Sequence, residues 1–342
     1  MKTTLYMAQT LNGYIAKKNG DTPWSEEVWK SYYQIAKKFK AIILGRKTYE
    51  VMKEVNEFEK IGNPFTIVLS KSNKSSNDKN INFEAAKQTA KLMIKLSKVD
   101  PDGFTNLRFA ALFNTKPGSP FYPAAYHKGP TSFAIGTENS DLVFKAFSKA
   151  KDIQKAPSIL KKTLEDEYKK IEKIAEQISQ KEKIPYDGID VSIATSINPD
   201  ESIAYAFEKL GLGKFGEVGT LAVAKVVTDS VKSVDVKKCG YSGLMLPVLE
   251  DYGLAMRNKE GTFNLSNLLL YSAVCGTGLD TIPLPGNVSE EKLYALLLDI
   301  ASLSIKLNKP LSARLMPVPN KKIGDMTEYK FEYFVNSKTM NI

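Results

Sequence analysis

Histidine and cysteine are almost absent from this 342-residue chain, which has one histidine, His127, and two cysteines, Cys239 and Cys275. A single histidine removes most histidine-based metal sites and acid–base triads at once. Two cysteines make neither a disulfide framework nor a four-cysteine zinc site. Arginine is scarce too: Arg46, Arg108, Arg257 and Arg314 are all there are. The net charge of +10 therefore comes almost wholly from lysine, whereas readers of nucleic-acid bases and phosphates favour arginine's planar fork. The lysines lie scattered beside glutamates, as in KKTLEDEYKKIEKIAEQ, the pattern of a solvated helix face. No apolar run approaches the ~18 residues of a membrane helix. The opening MKTTLYMAQTLNGYIA lacks the long apolar centre and cleavage site of a signal peptide. The expectation is a soluble cytoplasmic protein with a small-molecule substrate, no nucleic-acid or membrane partner, and homo-oligomer formation left open.

What is present is an alternation of strand and helix patterns. In residues 1–72, TTLYMAQTLNGYIA reads as a strand and PWSEEVWKSYYQIAKKF as an amphipathic helix with Val28, Tyr32, Ile35 and Phe39 on one face. KAIILGRKTYEVM reads as a buried strand running into a helix, and NPFTIVLSK as a third strand. This order predicts a parallel sheet. KSNKSSNDKN, residues 71–80, has no apolar residue and is the best boundary in the chain. Beyond it, LRFAALFN, GIDVSIATS, GLMLPVLED, LSARLMPVP and KFEYFVN read as strands, with TIPLPG a short strand or loop. Helices lie between them, including one whose stripe of Leu164, Tyr168, Ile171, Ala175 and Ile178 predicts a core face.

Several stretches could carry chemistry. GLGKFG, 211–216, matches a dinucleotide fingerprint but follows a helix instead of a strand, so a helix cap and turn explain it better. Cys275, in VCGTGLDTIPLPGN, is a nucleophile only with a base or positive field beside it; otherwise it is a small buried apolar residue. Asp280 lies in an apolar setting, and Glu250 and Asp251 follow the strand GLMLPVL. Carboxylates at strand ends mark where alternating α/β folds bind ligands, although Asp251 is equally suited to capping a helix. Arg314, mid-strand in SARLMPVP, needs a carboxylate partner or an anionic ligand, with Asp280 or Glu250 as the candidate partner. Gly45, Arg46, Lys47 and Thr48 end a strand and open a helix, a turn that suits a phosphate but is more commonly an ordinary strand–helix turn with solvated charges, and Ser70 and Lys71 follow the next strand. No metal site is predicted.

Two resemblances add to this reading. MAQTLNGYIA, AIILGRKTYEVM and FTIVLSKS make residues 1–72 similar to the N-terminal part of the dihydrofolate reductase-like fold, in particular the C-terminal reductase domain of riboflavin biosynthesis. That resemblance implies NADPH (NADP) phosphate contacts at Gly45, Arg46, Lys47, Thr48, Ser70 and Lys71. The chain has Asn12 where the family often has Asp, and the family's later strands and Gly-Gly turn are missing. LRFAALFNTKPGSPFYPAAYH, SIAYAFEKLGLGKFGEVGTLA, GYSGLMLPVLEDYGL, AVCGTGLDTIPLPG and ARLMPVPNKKIGDM make residues 83–342 resemble the domain of unknown function 711 family. This second resemblance implies a pyruvate formate-lyase-like α/β barrel, here lacking its usual N-terminal part. The glycyl-radical motif of that fold is not seen, so radical catalysis is not inferred.

The expected architecture is thus α/β: a truncated reductase-like unit at 1–72, a linker at 73–82, and a barrel-like domain at 83–342. Three functional readings are open. The first is an enzyme-like protein acting on a small anionic metabolite, with Asp190, Glu250, Asp251, Asp280 and Arg314 lining its pocket and Cys275 as a reactive group. There Arg314 would pair the anion and a carboxylate would transfer a proton. The second is an NADPH-dependent oxidoreductase acting through the N-terminal unit. The third is a non-catalytic binding protein or a non-functional fusion.

Overall fold

A computed structural model of the chain describes residues 25–39, 41–69, 81–116, 118–119, 128–275 and 277–342. The expected first strand, Asn12, Ser70, Lys71, most of the 73–82 linker and His127 lie outside the described residues. The chain divides into two compact units, Met1–Lys79 and Asn80–Ile342.

In the first unit, Ser25 caps helix α1 (Glu26–Ala36) by accepting the Val28 N–H, and Glu26 and Glu27 occupy its first turn, where the helix dipole favours acids. Strand β1 (Ala41–Gly45) runs straight into α2 (Arg46–Glu54); α3 (Glu57–Lys60) leads to β2 (Phe65–Leu69). β1 and β2 pair in parallel, Ala41 opposite Phe65 through Gly45 opposite Leu69, as the element order predicts. The expected apolar face of α1 is rotated. Val28 is 37% exposed, and Ala36 is the buried residue, with Tyr32 and Tyr33 beside it over Met52 and Ile61. So small a core admits the alanine and leaves the valine in solvent.

The second unit begins with α4 (Phe83–Val99), α5 (Phe104–Leu107), β3 (Ala111–Phe113), β4 (Phe133–Glu138), α6 (Ser140–Ala150), α7 (Ala156–Glu182) and β5 (Tyr186–Ala194). A 3₁₀ turn at Pro199–Glu201 precedes α8 (Ile203–Glu208), α9 (Thr220–Ser233), α10 (Tyr252–Glu260) and α11 (Leu265–Tyr271). β6 (Gly278–Pro285), α12 (Glu290–Lys306) and β7 (Leu311–Val318) complete the elements. β4 pairs with β5 in parallel, β6 with β7 in parallel, and β3 with β7 antiparallel. Between β5 and β6 runs the segment 238–247, bridged in parallel at Ile193–Leu244 and Pro247–Asp280. The expected strand GLMLPVLED is reduced to these bridges. The resulting order is β4, β5, 238–247, β6, β7, β3. β6 is buried at every position, as a parallel strand covered on both faces should be.

On α7, Leu164, Tyr168 and Ala175 are buried as the stripe predicts, Ile171 is half-buried, and Ile178 at the C-terminal end is exposed; Leu160, outside the predicted stripe, is buried with them. GLGKFG forms the turn after α8, with Gly211, Gly213 and Gly216 at positive φ, as a cap and turn require. KFEYFVN is not a strand. Asn336 closes it as a loop, its amide oxygen accepting from Thr327 Oγ1 and the Tyr329 N–H at 2.8 Å each. Phe331 and Phe334 pack with Leu249, Met316 and Val318 in place of a ladder.

Candidate functional site

The site is built where β6 departs from regular pairing. The register between β6 and β7 runs Leu279–Ala313 and resumes at Ile282–Leu315, so Asp280 and Thr281 bulge opposite Arg314. Thr281 has a φ of 40°, costly for a β-branched residue. Its Oγ1 accepts the Leu249 N–H at 3.3 Å, and the Asp280 carbonyl accepts the Val248 N–H at 3.1 Å. Bulges of this kind re-aim side chains; here the wholly buried Asp280 turns to Arg314. Arg314 Nε donates to Asp280 Oδ1, and Nη2 donates to Asp280 Oδ2 at 2.9 Å and to Glu250 Oε2 at 2.7 Å. Both carboxylates considered for Arg314 therefore hold it. Bidentate pairing fixes the guanidinium plane.

Arg314 and Glu250 line a cavity of about 150 Å³ together with Glu138, Ala194, Thr195, Met245 and Pro247. Glu138 ends β4, and Ala194 and Thr195 follow from the end of β5, so the cavity sits at strand C-termini. Thr195 Oγ1 donates to the Glu250 carbonyl at 3.1 Å and so holds that residue's backbone at the rim. The Glu250 side chain keeps 25% of its surface in solvent, yet burial raises its carboxyl to about 7, against a downward pull from Arg314 and with a further upward push from Asp280. A larger groove of about 380 Å³, lined by Phe144, Asp200, Tyr205, Glu208 and Arg257 among others, holds none of the sequence-predicted residues. Arg257 there is saturated by Glu208 and Glu260.

The other predicted residues do not join this cavity. Asp251 is the N-cap of α10, the alternative weighed for it. Its Oδ1 accepts from Ser202 Oγ at 2.7 Å and the Leu254 N–H at 2.8 Å, and its Oδ2 from the Ile203 N–H at 2.7 Å. It ties the starts of α8 and α10 together, and burial raises its carboxyl to about 6. Asp190 accepts from the Ser192 N–H and hydroxyl and from the Tyr241 and Ser242 N–H groups, which pins the 239–243 turn to β5. Gly45 is the N-cap of α2, and Arg46 pairs with Glu50 one turn along, 3.6 Å away; Lys47 and Thr48 follow in the same first turn. Ser70 and Lys71 lie outside the described residues.

Cys275 is fully buried in the turn after α11, its N–H donating to the Tyr271 carbonyl at 2.8 Å. Burial, with Asp190 and Asp187 nearby, pushes the Cys239 thiol up to about 12. Neither thiol should react with a water-soluble disulfide reagent until the second unit unfolds. Rapid modification of Cys275 in the native protein would restore it as a reactive group.

A carboxyl raised in the folded state holds its proton longer there than in the unfolded chain. Its stabilising contribution is full below the ordinary value, 4.5 for Glu250 and 3.8 for Asp251, and is lost as the pH rises through about 7 and about 6. The urea midpoint of the second unit should therefore fall between mildly acidic and neutral pH, and Glu250→Gln should flatten the upper part of that fall. A midpoint that rises over the same interval contradicts the assignment.

Glu138 and Thr195 were missed from the sequence. Glu138 carries the signal used for Glu250, a carboxylate at the end of an apolar strand. Among the described residues, no cluster of three His, Cys, Asp or Glu side chains is placed to hold a metal ion, and no helix is long and apolar enough to cross a membrane.

The family described as uncharacterised ACR (DUF711) matches residues 33–331. Similar proteins include UPF0210 proteins of Oenococcus oeni, 27% identical over 80% of this chain and 63% of the relative, and Clostridium perfringens, 29% identical over 77% and 60%. A UPF0210 protein of Acetivibrio thermocellus is 28% identical over the same shares of the two chains, 77% and 60%. The chain thus spans about three fifths of the length of these curated relatives. The family match takes in β1, α2 and β2 as well as the second unit, and nothing in the comparisons supports a reductase-like front unit. With 33–331 covered in one match, the chain belongs to the uncharacterised ACR (DUF711) family.

Proposed function

We propose that the cavity at Glu250 and Arg314 is the ligand site of an enzyme-like protein that moves a proton on a small metabolite. Glu250 is the proton-transfer group; Arg314, itself held by the buried Asp280, positions it. One observation carries this reading: the Glu250 carboxyl stands at a small cavity, hydrogen-bonded to a guanidinium locked from behind by a second carboxylate, and burial raises that carboxyl to about 7. A general acid or base works best with a value near the ambient pH, and perturbed groups cluster at functional sites. The strained bulge at Thr281 and the place of the cavity at strand C-termini support the same reading. Arg314, the expected anion partner, already has Nε and Nη2 on carboxylates, so a carboxylate ligand reaches Nη2 only by displacing Glu250. The finer fold reading, a pyruvate formate-lyase-like barrel, draws its support from the run of parallel pairings between β4 and β7.

A dye-based thermal-shift screen of the full chain against small metabolites tests the reading. At least one compound should raise the melting temperature of the wild type and fail to do so in Glu250→Gln. Hits that stabilise both proteins equally would place the ligand site elsewhere.

A further inference from the structure

We infer that the occupant of this cavity carries a positively charged nitrogen, an ammonium or amidinium group, which is recognised by Glu138 and Glu250. The inference rests on the site proposed above and adds the class of ligand. Among the described residues, the charges around the cavity are Glu138 from β4, Glu250, Arg314 from β7 and, behind it, Asp280 from β6. Asp280 takes two of the guanidinium's donor contacts and Glu250 a third. Glu138 makes no side-chain hydrogen bond or ion pair among the described residues and keeps its acceptor capacity. Among the described residues the lining thus carries two carboxylates, Glu138 and Glu250, against one guanidinium whose charge already faces the buried Asp280 behind it. A cavity of about 150 Å³ is the size that takes one benzene-sized molecule, so a cation within it lies inside the screening length of both Glu138 and Glu250. Ala194, Met245 and Pro247 supply an apolar wall for a short alkyl stem.

The two ligand charges have opposite proton signatures. A cation beside Glu250 favours its ionised form, so binding near neutral pH releases a proton. An anion favours the protonated form, so binding takes one up. Calorimetric titration of the full chain in two buffers of different ionisation enthalpy separates them, with ethanolamine and methylammonium as cationic probes and acetate and inorganic phosphate as anionic probes at matched ionic strength. Ethanolamine or methylammonium should bind with proton release, and Glu138→Gln, a change at an exposed residue, should weaken that binding about fivefold. Glu250→Gln should weaken it and abolish the proton release. Binding of acetate or phosphate with proton uptake, lost in Glu250→Gln, would overturn the cationic class while leaving the site. No binding by either class, or binding indifferent to both substitutions, would overturn the class and the site together.

Discussion

Arg314→Met is expected to destabilise the second unit by about 3–5 kcal/mol, the cost of leaving a buried carboxylate without its partner. Asp280 has no exposed surface, and its two oxygens face Nε and Nη2 of Arg314. Glu250 cannot substitute for the lost cation and would itself lose the group that pulls its proton affinity down. The double variant Asp280→Asn, Arg314→Met should recover part of the loss, because it removes the stranded charge. Both tryptophans, Trp24 and Trp29, belong to the first unit, so urea unfolding must be followed by far-ultraviolet circular dichroism instead of tryptophan fluorescence. An unchanged midpoint for Arg314→Met would mean that the pair stabilises nothing.

Gly240→Ala should be nearly as damaging. Gly240 sits at φ +63°, and a Cβ there would fall 1.9 Å from Asp190 Oδ2 and 2.5 Å from its Cγ. Asp190 cannot swing aside without abandoning the N–H groups of Ser192, Tyr241 and Ser242 and the Ser192 hydroxyl. Left-handed strain and stranded buried donors together cost about 3 kcal/mol or more. Gly261→Ala is the control, with φ +77° and nothing within 4 Å of the added carbon. It should lose only the backbone preference, about 1 kcal/mol. Equal losses in the two variants would show that the contact with Asp190 contributes nothing.

The need of Arg314 for a carboxylate is legible in SARLMPVP, because a guanidinium inside an apolar strand must be paired. That both Asp280 and Glu250 answer it is not legible, since the three meet only through the bulge. LDTIPLP reads as an ordinary run, and nothing local announces a threonine at positive φ. Asp251 shows the reverse case. Its place after a strand reads equally as a site or a cap, and only Ser202 and Ile203, distant in sequence, show that it ties two helices. Asp190 reads as a pocket residue, yet four donors from its own strand and the neighbouring turn account for its carboxylate. In the first unit the contiguous apolar run of β1 is plain, but the buried face of α1 is not. The packing partner there is a few side chains, too small a surface for periodicity to point at.

The most direct measurement is a carbon-13 NMR titration of the glutamate side-chain carboxyls in the full chain, with the Glu250 signal identified by its loss in Glu250→Gln. The account predicts a Glu250 midpoint near 7, against the ordinary 4.5, moving higher in Arg314→Met if that variant folds, and moving lower when ethanolamine is added. A Glu250 that titrates at the ordinary value and ignores ethanolamine would contradict its assignment as the proton-transfer group of this site.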